Sequence, residues 1–186
     1  MSHATRRIVI TGGPFSGKTT LIEALAAKGH AIVGEAAILV IEELTAEHGL
    51  AGQAAWRKEN TGAFQVKIIE KQAQLEEAAV QTSKTGLVFM DRGRPDGIAY
   101  CHVYERPVPD EVAAGCRDLP YDCVFLLDTL KDFDNRADSG RTSDRTRSLL
   151  IRDHLKATYE ERGFSVVPVP EMPVDERVDF VLGSLV

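Results

Sequence analysis

The chain has 186 residues, 44% hydrophobic and 27% charged, with a formal net charge of −6. That is the composition of one soluble domain with a sizeable core, and we expect residues 1–186 to form a single domain. The acidic balance and the lack of a Lys/Arg block argue against a nucleic-acid face. No apolar run approaches membrane-spanning length, so no membrane insertion is expected. Three cysteines, Cys101, Cys116 and Cys123, lack a CxxC pair, which argues against structural zinc and fits a reducing, cytoplasmic setting.

In chain order, Arg6 to Thr11 reads as a β-branched strand that ends in glycines, not as a leader peptide. A helix is predicted from Lys18 to Lys28 and stopped by Gly29. His30 to Gly34 fits a short strand. Glu35 to Glu47 has helical spacing of apolar residues, broken by Gly49 and Gly52. Asn60-Thr61-Gly62 supplies a cap for a helix over 63–82. Leu87 to Met90 is an apolar run suited to a buried central strand, with Asp91-Arg92-Gly93 at its carboxyl end. Residues 94–118 are mixed, with Pro95, Pro107 and Pro109 as breakers. Tyr121 to Leu127 reads as another buried strand, followed by a charged segment from Asp128 to Arg147 and a helix to about Arg162. Phe164 to Val169 is the last strand, where Pro168 implies an edge. Val174 to Leu185 is a closing helix. Strands alternating with helices give an α/β class with a mostly parallel sheet.

The sharpest signal is Gly12-Gly13-Pro14-Phe15-Ser16-Gly17-Lys18-Thr19, a full GxxxxGK[ST] phosphate loop between a strand and a helix. Glycines permit a tight loop whose N–H groups face phosphates. Lys18 suits the β and γ oxygens, and the Thr19 hydroxyl suits magnesium. The helix start, including Thr20, adds a favourable field. The nucleotide-binding set is therefore Gly12 through Thr20, and the expected cofactors are ATP and Mg2+.

Carboxylates and arginines follow in a suggestive order. Glu35, just after the second strand, can face an acceptor hydroxyl or stand as a surface acid in a first helical turn. Glu42 and Glu43 read as a solvated face. Asp91 ends a strand where an acid can hold magnesium through water or position a hydroxyl, and Arg92 can clamp a phosphate or the substrate. An ordinary Asp-Gly-Pro loop competes with that reading. Arg94 and Asp96 are weaker candidates. Between residues 129 and 150 a lid is expected, with Arg141, Arg145 and Arg147 as its charge-neutralising side chains. A solvated face of weak ion pairs is the competing account. Trp56, Tyr100, His102 and Tyr104 can line an acceptor pocket, although packing explains each more simply. The loop from Pro170 to Pro173 can meet the adenine edge.

The phosphate loop, Glu35, Asp91-Arg92-Gly93 and an arginine-bearing lid, in that order, resemble the nucleoside and nucleotide kinase group of P-loop proteins. More closely, the chain resembles a bacterial ATPase/kinase-like family related to the nicotinamide riboside kinase domain. The matching segments are Arg6 through Pro14, Gly34-Glu35-Ala36-Ala37, Phe89 through Gly93, and Tyr159 through Phe164 leading into Val166 to Pro170. The resemblance implies a three-layer P-loop NTPase fold with a five-stranded parallel sheet. It assigns the acceptor hydroxyl to Glu35, acceptor and phosphate to Asp91 and Arg92, and the lid role to Arg141, Arg145 or Arg147. Gly93 departs from the aromatic, histidine or serine usual after Asp-Arg. The reading that follows is ATP-dependent phosphoryl transfer to a small hydroxyl-bearing metabolite. The alternative is a regulatory ATP-binding protein or slow ATPase acting through a protein or lipid partner. No Asn/Thr-Lys-x-Asp motif is present, which disfavours a dedicated GTPase. The oligomeric state stays open.

Overall fold

A computed structural model describes residues 4–131 and 145–185. Its sheet has five strands, all parallel, in the order β2-β3-β1-β4-β5. The strands are β1 (Arg6–Gly12), β2 (Ala31–Val33), β3 (Leu87–Asp91), β4 (Cys123–Leu127) and β5 (Val166–Val169). The helices are α1 (Lys18–Ala27), α2 (Ala36–Glu59), α3 (Thr61–Thr82), α4 (Asp96–Val103), α5 (Asp110–Gly115), α6 (Arg145–Glu160) and α7 (Val174–Gly183). The α/β class and the five-stranded parallel sheet are as expected.

Strand alternation builds the layers. Ile8, Ile10, Phe89 and Phe125 face α1 and α7, where they pack with Leu21, Leu25, Val178 and Val181. Their neighbours Val9, Val88, Met90 and Val124 face the other way, against Ala79 of α3 and Tyr159 of α6. Burial on both faces explains why these strands read as continuous apolar runs. Pro168 lies in β5, which pairs only with β4, so the missing N–H costs no ladder bond on its free side.

Three segments depart from expectation. Pro95 and Pro109 do not break structure; each sits at the N-cap of a short helix, α4 and α5, where proline is tolerated because the N–H there has no helical partner. Asn60 does not cap α3 through its side chain: its Nδ2 donates back to the Trp56 carbonyl of α2 at 3.0 Å. The break expected at Gly49 is present (φ 72°, ψ 171°), but helical structure resumes beyond it, so α2 continues to Glu59 as a second helical stretch with Gly52 inside it.

Gly49 is the one non-helical residue within α2, in a backbone region open essentially to glycine. A Cβ added there meets nothing within 4 Å, so substitution carries a backbone cost without a packing cost. Gly49→Ala is expected to lower unfolding free energy by about 1–3 kcal/mol in urea denaturation. An unchanged midpoint would mean that the bend is not conformationally demanding.

Candidate functional site

The sheet order sets β1 between β3 and β4, so the loop after β1 and the loop after β3 open side by side at the carboxyl edge. Ile10 pairs with Asp91 across that junction. The phosphate loop from Gly12 to Thr19 occupies it, and Lys18 begins α1. Gly17 is left-handed (φ 78°), a backbone conformation that favours glycine, and a Cβ there would push aside the Arg177 guanidinium, whose Nη1 would lie 2.5 Å away. Thr19 and Thr20 are exposed on the first turn of α1.

Lys18 is buried. Its Nζ donates to the carbonyls of Gly12 and Gly13, each at 2.9 Å, and to Ser16 Oγ at 3.3 Å. Burial lowers its pKa to about 7, aided by the Arg92 charge and opposed by Asp91, Glu35 and Asp96. Asp91 is also buried, and burial raises its pKa against the pull of Lys18 and Arg92. Its Oδ1 has no hydrogen-bond partner among the described residues. A buried carboxylate oxygen without a donor suits the water shell of a cation, and Thr19 lies on the first turn of the neighbouring helix. Both therefore fit magnesium. No cluster of three or more His, Cys, Asp or Glu side chains able to hold a metal occurs among the described residues.

Arg92 follows Asp91 with φ 75°, an uncommon conformation for a side chain with Cβ. Its N–H donates to the Ile10 carbonyl at 3.0 Å. The guanidinium lies 3.2 Å from Glu35 Oε1 and 3.1 Å from Asp96 Oδ2, and sits 5.3 Å over the Tyr100 ring. Burial opposes its charge, but Tyr100, Glu35, Asp96 and Asp91 outweigh that and hold its pKa well above the ordinary value. Glu35 is the N-cap residue of α2 and makes no side-chain cap bond. Asp96 accepts from Thr11 Oγ1 at 2.8 Å, from Arg92, and from the Tyr159 hydroxyl at 2.7 Å.

Glu35, Arg92 and Asp96 also border a cavity of about 350 Å3 walled by Phe64, Ile68 and Tyr100. That is within the range of small-molecule pockets. Tyr104 lines it as well, whereas Trp56 stacks on His48 and His102 faces His154. Arg94 turns to the buried Glu76 at 2.7 Å, an ion pair completed by the Tyr121 hydroxyl. Glu42 and Glu43 are exposed, and Glu43 pairs with Lys71.

Of the lid arginines, Arg141 lies outside the described residues. Arg145 is exposed at the start of α6, and Arg147 lies 5.3 Å over the Tyr104 ring at the cavity rim. Both described ends of that segment touch the phosphate loop. Leu130 N–H donates to the Phe15 carbonyl at 3.2 Å, and Ser148 Oγ donates to the Pro14 carbonyl at 2.8 Å. Ser148, Glu76 and Arg177 gave no sequence signal, since each reads as an ordinary helix residue until the fold buries it. The Gly93 departure has a steric reason: a Cβ there would lie 2.5 Å from the Tyr159 hydroxyl.

The family model for the AAA domain matches residues 7–177. No curated protein matches the sequence. Among solved structures, a thymidylate kinase from Candida albicans is 16% identical, with a TM-score of 0.65 over 100% of this chain and 92% of that one. A NadR protein in complex with NAD and AMP-PNP is 15% identical, with a TM-score of 0.67 over 98% of this chain. This chain spans 49% of NadR. A deoxyadenosine kinase from M. mycoides with bound dCTP is 14% identical, with a TM-score of 0.64 over 96% and 98% of the two chains. These likenesses establish the three-layer P-loop fold.

Phosphate oxygens favour a charged ammonium, so a nucleotide bound at Lys18 raises its pKa and takes up a proton wherever the free protein has lost it. Affinity should therefore fall as pH rises above about 7. Calorimetry of ATP–magnesium in buffers of differing ionisation heat should give uptake of about one proton at pH 8 and much less at pH 6. Equal uptake at both would mean that Lys18 is not depressed in the free protein.

Proposed function

We propose that this chain, which belongs to the AAA-domain family of P-loop NTPases, transfers the γ-phosphoryl group of ATP to a hydroxyl of a small nucleoside- or riboside-like metabolite. The observation that carries the reading is the sharing of residues. Glu35, Arg92 and Asp96 act electrostatically on Lys18 and also border the 350 Å3 cavity. An acceptor in that cavity would meet the nucleotide at its reacting end.

In this scheme Lys18 exchanges the Gly12 and Gly13 carbonyls for phosphate oxygens. The acceptor hydroxyl oxygen attacks the γ-phosphorus in line, the bond to the β–γ bridging oxygen breaks, and ADP leaves. The hydroxyl proton passes to Glu35 or Asp91. Arg92, fixed between Glu35 and Asp96, holds the acceptor or the transferring group. Arg145 and Arg147, with Arg141, would neutralise charge from the lid side. Thr19 and Asp91 would hold magnesium, which when bound supplies neutralisation of the phosphate charge. Similar structures that are a thymidylate kinase and a deoxyadenosine kinase support an acceptor of nucleoside type. A slow ATPase or nucleotide switch working through a protein or lipid partner would leave the cavity without a role.

The test is ADP formation from ATP–magnesium against pooled nucleosides, ribosides and other small hydroxy metabolites. One pool is expected to raise turnover at least tenfold over water hydrolysis. Lys18→Ala should reduce that turnover by roughly a hundredfold or more. Nucleotide binding with no stimulation by any pool would sink the kinase reading.

A further inference from the structure

The same cavity carries one charge that no carboxylate among the described residues answers. Three arginines border it: Arg57, Arg92 and Arg94. Arg92 is paired with Glu35 and Asp96, and Arg94 with Glu76. Arg57 has no carboxylate partner among the described residues. Its Nε donates to Gln53 Oε1 at 2.8 Å, and its guanidinium lies 5.5 Å over the Phe64 ring. Those two contacts fix the plane of the group and leave its terminal nitrogens without a protein acceptor among the described residues.

Helix α3 measures how far this charge is from the reacting end. Gln72 donates to the Arg92 carbonyl at 3.2 Å, so that turn of α3 stands at the Arg92 end of the cavity. Phe64, beneath Arg57, stands eight residues earlier, about 12 Å along the helix axis. Ile68 lines the wall between them. The bend at Gly49 makes the arrangement possible. Glu35 and Arg57 lie at opposite ends of α2, and 22 residues of straight helix would separate them by about 33 Å. With the bend, both border one cavity.

We propose that Arg57 is an anion-binding residue, and that the acceptor bears a carboxylate or phosphate on the order of 10 Å from its reacting hydroxyl. The inference rests on the kinase reading above, for it names the chemistry of that acceptor's other end. A guanidinium with free terminal nitrogens accepts either anion in bidentate fashion. The apolar wall of Phe64 and Ile68 suits the part of the molecule between the two ends.

The experiment compares acceptors in matched sets with ATP–magnesium: neutral nucleosides and ribosides, hydroxyl-bearing phosphomonoesters, and hydroxy carboxylates, the last two chosen so that the anion lies about 10 Å from the hydroxyl. The two anionic sets tell phosphate from carboxylate. One of them is expected to exceed its neutral counterparts at least tenfold in kcat/KM. Arg57→Gln should raise KM for it by about 10- to 100-fold with a much smaller change in kcat, and Arg57→Lys should restore part of the loss. Neutral acceptors outranking both anionic sets would overturn the proposal. So would an Arg57→Gln protein in which neutral and anionic KM values rise by one common factor. If no acceptor stimulates turnover, the kinase reading fails separately. Calorimetric titration of the same sets, with AMP-PNP–magnesium present, then decides the subsite. Anion binding lost in Arg57→Gln and partly kept in Arg57→Lys upholds it, and absence of anion binding to the unaltered protein overturns it.

Discussion

Asp96 receives three hydrogen bonds from parts of the chain that sequence keeps far apart: Thr11 on β1, Arg92 after β3, and Tyr159 near the end of α6. The carboxylate is almost wholly buried, so each donor is held in a low-dielectric setting where losing the acceptor would strand a hydroxyl or a guanidinium. Burial together with the Asp96 charge pushes the Tyr159 hydroxyl pKa well up, which keeps it a donor. Buried ion pairs of this kind are weak stabilisers in net terms because desolvation is costly. What they contribute here is position: Arg92 is drawn to one place, and Arg92 in turn orients Glu35.

The rest of the site follows from that anchored arginine. Arg92 and Lys18 bring two positive charges to the carboxyl edge of the sheet, and Asp91, Glu35 and Asp96 bring three carboxylates. Each group feels the others because water is largely excluded, so the burial that shifts Lys18 and Asp91 also strengthens their mutual attraction. Lys18 satisfies itself meanwhile on the carbonyls of its own loop. Such bonds are replaceable by phosphate oxygens without leaving a buried charge unmet at any stage.

Helices from opposite faces of the sheet close around the phosphate loop. Arg177 of α7 donates to the Ser16 carbonyl, and Ser148 of α6 donates to Pro14 while sharing a bond with Thr129. These contacts set the loop's outer shape, just as Gly49 sets the outer shape of the cavity by turning α2 back on itself. Neither depends on a recognisable motif.

The sequence by itself determined the phosphate loop, the parallel sheet and the edge position of Pro168, because each rests on local rules: glycine spacing, continuous apolar strands, a missing N–H. It also drew attention to Glu35, Asp91 and Arg92, whose place just beyond strand ends is a local fact. Only the tertiary structure decided who pairs with whom. Arg94 borders the cavity but pairs with Glu76, Asp96 becomes a shared acceptor, and Arg57 reaches the cavity from the far end of a bent helix. Those outcomes depend on contacts between residues 18 to 85 positions apart and on a single glycine's backbone angle, neither of which helical or strand periodicity records. Spacing along the chain reports which face a side chain takes. Which partner waits on that face is fixed by how the layers dock.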